Sequence, residues 1–134
     1  MKEIVGKINA IPELYHGTGC TTSQIREAQN KLDLIFPQEY VDYIKKYGCI
    51  SFFGTEWTGL NVTGYLNVVE ATQNQFENNP YFPKHFFVIE NLEIDDIVVA
   101  VNEDGQVFEI QNNIRKKICE NLLEYLDICL QRQN

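Results

Sequence analysis

No run of apolar residues in these 134 approaches the roughly 20 that a bilayer-spanning helix needs. The N-terminal stretch MKEIVGKINAIPEL is interrupted by Glu3 and Lys7, so it does not read as a secretion signal. The expectation is a cytoplasmic protein with no membrane contact. The four cysteines, Cys20, Cys49, Cys119 and Cys129, include no C-x-x-C pair, and histidine is limited to His16 and His85. That spacing argues against a zinc site and against a Cys-His nucleophile pair. Reduced thiols packed as small hydrophobes are expected, with no metal and no cofactor.

Positive charge is nearly missing from the middle of the chain. Between Cys49 and Asn113 there are ten acids against one base, Lys84, a net of −9 out of −8 overall. The flanks together carry ten bases and nine acids, a net of +1. Such a field repels nucleic acid and steers toward a basic partner surface. The plainer alternative is a solvated face that keeps the protein soluble.

What is present suits one domain over residues 1–134: 44% hydrophobic and 12% aromatic residues are enough for a real core. A short helix is expected near Lys2 to Asn9. Thr21 with Gln24 forms a capping box for a helix running to about Leu34, with Ile25, Ala28 and Leu32 inward. Pro37 opens a second helix, Tyr40, Val41, Ile44 and Tyr47 line its apolar side, and Gly48 ends it. CISFFG and LNVTGYLNV read as short strands or extended pieces with glycine turns. Asn67 to Asn78 reads as a helix stopped by Pro80 and Pro83. HFFVIEN, DIVVAVN and QVFEI read as strands, the last two joined by a tight turn at Glu103-Asp104-Gly105. In QVFEI, alternation predicts one wet and one dry face. One amphipathic helix is expected from about Arg115 to Arg132, with Ile118, Leu122, Leu126 and Leu130 on its apolar side. Helices first, then an antiparallel sheet, then a closing helix make the fold class α+β.

The pattern T-x-x-Q-I-x-x-A-x-x-x-L followed by FPQEYVDYIKKYG resembles the opening of the SUKH superfamily, the Smi/Knr-like proteins. SFFGTEWTGL is similar to that family's G-(S/C)-x-x-x-G-x-E-x-x-G-L segment, and NVVEATQ, FVIENL and LLEYL follow in family order. The resemblance spans about Thr21 to Leu130. It implies a non-enzymatic protein with no shared catalytic residues. Bacterial members are largely immunity proteins that bind a cognate toxin domain, often a nuclease or nucleic-acid deaminase, and block its active site. Fungal and some viral relatives act instead as regulatory interaction modules, which is the alternative reading.

Other features have simpler explanations. HGTGCTTS lacks the G-K-[ST] ending of a phosphate loop and reads as an ordinary N-cap loop. Glu93-x-Asp95-Asp96 has the residues for acid–base or divalent-metal work, but acids beside a turn are usually solvated. In SFFGTEWTGL the glycines permit a tight corner between helices and sheet, and at least one phenylalanine should enter the core. Trp57 is either a core residue or an interface anchor. The partner-binding candidates are Glu56, Trp57, Glu93, Asp95 and Asp96. The expected partner is a basic toxin domain and not nucleic acid itself, bound by a monomer or homodimer.

Overall fold

The elements follow from local chemistry first. Thr21 caps the helix after it: its side chain accepts from the Gln24 N–H at 3.1 Å, and Gln24 Oε1 accepts the Thr21 N–H at 2.8 Å. This reciprocal box starts α2, Thr22–Leu32, and Asp33 in a left-handed conformation ends it. The computed structural model describes residues 2–132. Before α2 come α1, Glu3–Asn9, and the two-residue strand β1, Tyr15–His16. After it comes α3, Gln38–Tyr47, with Pro37 at the cap, one position before the first-turn place expected for it. The loop His16–Thr21 serves as the N-cap approach, with the Cys20 N–H bonded to Ile44 O at 3.1 Å.

Beyond Gly48 the chain makes a small antiparallel sheet, order β1-β2-β3, from β2, Ile50–Phe52, and β3, Thr55–Trp57. One 3-10 turn, Gly64–Leu66, leads into α4, Val68–Asn78, which Asn67 caps through its side chain. A second antiparallel sheet, order β4-β5-β6-β7, holds Phe86–Asn91, Val98–Asn102, Val107–Gln111 and Ile114–Cys119. Helix α5, Leu122–Arg132, closes the fold, which is α+β. Among the described residues no helix is long and apolar enough to cross a membrane.

Two sequence expectations are corrected. Arg115 to Cys119 is strand, not the first turns of the last helix. Ile118 falls in helical phase with Leu122 and Leu126, but Asn112, at φ 53, turns the chain back so that Lys116 pairs with Glu109. The helix begins only after Asn121, whose side chain accepts the Glu124 N–H at 2.9 Å. Glu39, from the first turn of α3, accepts the Leu122 and Leu123 N–H groups at 2.8 and 3.3 Å. The strand at Val107–Gln111 also lacks one wet face: Val107 and Ile110 are both buried, on opposite sides of the sheet. The helices cover one side, while α4 and Phe82 cover part of the other, so alternation separates two apolar clusters.

The halves are joined at a backbone crossing. Leu60 N–H bonds to Gly48 O at 3.0 Å, and a Cβ added at Gly59 would collide with that carbonyl. Next to it, Thr58 bonds through its N–H to Ile89 O at 2.8 Å, while its hydroxyl donates to Val88 O at 2.7 Å and lies 3.0 Å from the Tyr40 hydroxyl. Tyr43 donates to Thr58 O at 2.8 Å. One threonine therefore links α3, the small sheet and β4 through buried, satisfied polar groups.

Gly59→Ala should lower stability by about 3 kcal/mol or more, because backbone rather than a flexible side chain must move. Gly54→Asn, in open space at a left-handed turn, should cost less than about 1 kcal/mol. Urea midpoints with unchanged slopes would measure both. The core phenols supply a pH test. Burial raises Tyr40, Tyr43 and Tyr125 above the ordinary 10.0, and it lifts the Cys129 thiol from 9.0 to about 12, with the Glu90 charge adding. Groups whose folded pKa is raised favour folding fully below their unfolded value, and that stability is lost as pH rises. Stability should therefore hold below pH 9 and fall progressively above it, read by denaturant melts across pH 7 to 12.

Candidate partner-binding face

SFFGTEWTGL folds as a hairpin and the corner after it. Phe52 pairs with Thr55, so Phe53-Gly54 is a two-residue turn with φ 47 and 84. Alternation along β3 then sends neighbours to opposite sides. Trp57 is 0% exposed, stacked on Tyr125 with ring centroids 5.8 Å apart and edge-on to Tyr43. Of the two roles expected for it, core is the one found; a side chain with no exposed surface is not a partner contact. Its Nε1 is the one buried side-chain polar atom lacking a hydrogen-bond partner among the described residues. Glu56 points the other way, half-exposed, and accepts a hydrogen bond from the Tyr65 hydroxyl at 2.8 Å.

The loop joining β4 to β5 brings the other acids near. Glu56 and Glu93 border the same two adjoining clefts. One, of roughly 370 Å³, also takes in Tyr65 and Glu70 over a floor that includes Ala71 and Val88. The other, of roughly 410 Å³, is bordered by Phe53, Ile94 and Glu109 as well. The Tyr65 phenol registers the field: the Glu56 hydrogen bond raises its pKa first, then the Glu56 charge, with Glu93 contributing. Asp95 and Asp96 are exposed further along the loop and line neither cleft. Glu93, Asp95 and Asp96 all have left-handed backbones, at φ 57, 52 and 59. Among the described residues no three His, Cys, Asp or Glu side chains are grouped to hold a metal ion.

One carboxylate here is interior, and the sequence reading missed its role. A β-bulge falls at Ile89: Val88 pairs with Ala100, but Glu90 pairs with Val99. The extra residue turns Glu90 toward α5 instead of leaving it on the face of Val88. Glu90 is 4% exposed and takes both its oxygens to Arg132 Nη1 at 3.1 Å, while Tyr125 donates its hydroxyl to Oε1. Arg132 Nη2 in turn donates to the Tyr125 oxygen at 2.8 Å. This pair docks the end of α5 on β4 and engages the one cation lining the second cleft. No local signal marks it, because Glu90 and Arg132 are far apart in sequence.

Arg132→Met should destabilise the protein by leaving Glu90 buried and uncompensated. Arg132 is about one-third exposed, so the loss should fall at or below the low end of the roughly 3–5 kcal/mol typical of broken buried pairs. Adding Glu90→Gln should restore part of it. A double-mutant cycle by chemical denaturation would show whether the two effects couple.

Residues 1–131 match a family model described as SUKH_5: SMI1-KNR4 cell-wall. No curated protein matches the chain.

Proposed function

The chain belongs to the SUKH_5, SMI1-KNR4 cell-wall family, and from that premise we propose that it is an immunity protein. It binds a cognate toxin domain in the cytoplasm and covers that domain's active site, without catalysis of its own. The match over residues 1–131 carries this reading. The electrostatics support a toxin that acts on nucleic acid. A nuclease or nucleic-acid deaminase needs a basic groove for a phosphate backbone, and a face presenting Glu56, Glu70 and Glu93 competes for such a groove. Asp95 and Asp96 extend the acidic edge and steer the encounter. Inhibition then comes from steric and electrostatic occlusion.

The rival is a regulatory docking module of the Smi/Knr type, which the wording of the matching family description favours. Such a module would use the same face on a cellular protein and would need no toxin.

Co-expression separates them. The C-terminal domain of the protein encoded next door should kill when expressed alone, spare cells when this chain is present, and co-purify with it. Death in both cases, with the toxin active and this chain soluble, would remove that partner and shift weight to the regulatory module. In a rescued complex, reversing Glu56 and Glu93 to lysine should weaken binding at least tenfold and flatten its salt dependence. Reversing Asp95 and Asp96 should mainly slow association.

A further inference from the structure

We propose that Phe53, seconded by Ile94, is the apolar anchor of this face, and that it seats in an apolar recess on a partner protein whose surrounding surface is basic. The inference rests on the reading that this chain acts by binding a protein.

Phe53 is out of place as a purely structural residue. Two-residue hairpin turns with both φ values positive favour asparagine, aspartate or glycine at the first position, since a bulky side chain is strained there. Phe53 holds φ 47 and is nonetheless 44% exposed, whereas Phe52 beside it is 1% exposed and fills the core. The turn gains nothing by burying it. Around Gly54 there is open space, with no atom within 4 Å of an added Cβ. Across the cleft, Ile94 is 58% exposed between two left-handed residues, Glu93 and Asp95. Both apolar groups thus sit on constrained turns, and strain of this kind gathers at functional sites.

The charge around them selects the occupant. Glu56, Glu93 and Glu109 share the cleft, and its one cation, Arg132, is turned onto Glu90. A second copy of this chain carries a net charge of −8, so approaching carboxylates would repel. A basic rim around an apolar recess fits: the rim pairs with the acids while Phe53 fills the centre, the arrangement in which aromatic residues carry most binding energy.

Phe53→Asn discriminates between anchor and structural roles, because asparagine suits the turn. The variant should melt at the same temperature or a few degrees higher, yet lose binding. The defined probe is an amidated helical peptide with a central leucine stripe flanked on both sides by arginine, titrated into the full chain and followed by amide NMR. Shifts should concentrate at Phe53, Gly54, Glu93 and Ile94. Affinity should fall about tenfold in Phe53→Asn, and also when serine replaces leucine in the peptide. Unchanged affinity in the variant, shifts centred elsewhere, or self-association through Phe53 in place of peptide binding would each overturn the proposal. The co-expressed toxin domain separates the two levels. A rescuing complex indifferent to Phe53→Asn sinks the anchor and leaves immunity standing. Peptide binding at Phe53, with no neighbouring toxin neutralised, does the reverse.

Discussion

The fold depends on how closely the backbone at Gly59 can approach Gly48. The Leu60 N–H reaches Gly48 O, and any side chain at Gly59 would occupy the space of that carbonyl. This contact sets the angle at which the chain leaves the helical half. It places Thr58 where its N–H, carbonyl and hydroxyl meet β4 and the phenols of α3. With Thr58 fixed, the alternation of β3 has no freedom left: Trp57 must enter the core and Glu56 must leave it. A glycine pair with no functional group thereby decides which side chain of an adjacent Glu-Trp pair meets solvent.

The bulge at Ile89 acts similarly on a carboxylate. Regular pairing would keep Glu90 on the side of Phe86 and Val88, away from the Arg132 and Tyr125 side chains that it meets. One extra residue moves it to Arg132 and Tyr125. A buried ion pair is weak evidence for net stability, because removing two charges from water offsets much of their attraction. Its clearer consequence is specificity of docking. Only one position of α5 along β4 satisfies Glu90, and Glu39 fixes the other end of that helix by accepting the N–H groups of Leu122 and Leu123. The last element is pinned at both ends by acids from distant parts of the chain.

Legibility in the sequence divides along the same line. The Thr21–Gln24 box, the Gly48 stop and the Asp104-Gly105 turn were readable because each works through neighbours a few residues apart. The Arg115–Cys119 strand was misread because Ile118 keeps helical phase with Leu122, so periodicity alone favours the wrong element over the Asn112-Asn113 turn. The bulge was invisible: FVIEN reads the same with or without an extra residue at Ile89. Of the candidate contacts, Glu56 and Glu93 converge, Asp95 and Asp96 lie beside them, and Trp57 does not reach the surface. Net charge could locate the acidic segment but could not say which of its acids share a cleft, since that depends on the β3–β4 junction. Phe53 was readable in principle, as a bulky residue before glycine between two short strands.

The residues of this face are separate from those that hold its geometry. Glu56, Glu93, Phe53 and Ile94 project from a short hairpin and a loop, and none of them fills the helical core. Substitutions at such positions typically change stability by about 0.5 kcal/mol or less, and at Phe53 the turn itself gains from losing the ring. Trp57, Thr58 and Gly59, one to three residues from Glu56, have no such latitude. Under the proposed immunity role, that separation would let affinity be retuned without cost to the fold. The close Gly59–Gly48 approach and the buried Thr58 hydrogen bonds, close to Glu56 in sequence, give the proposed contact face a fixed base.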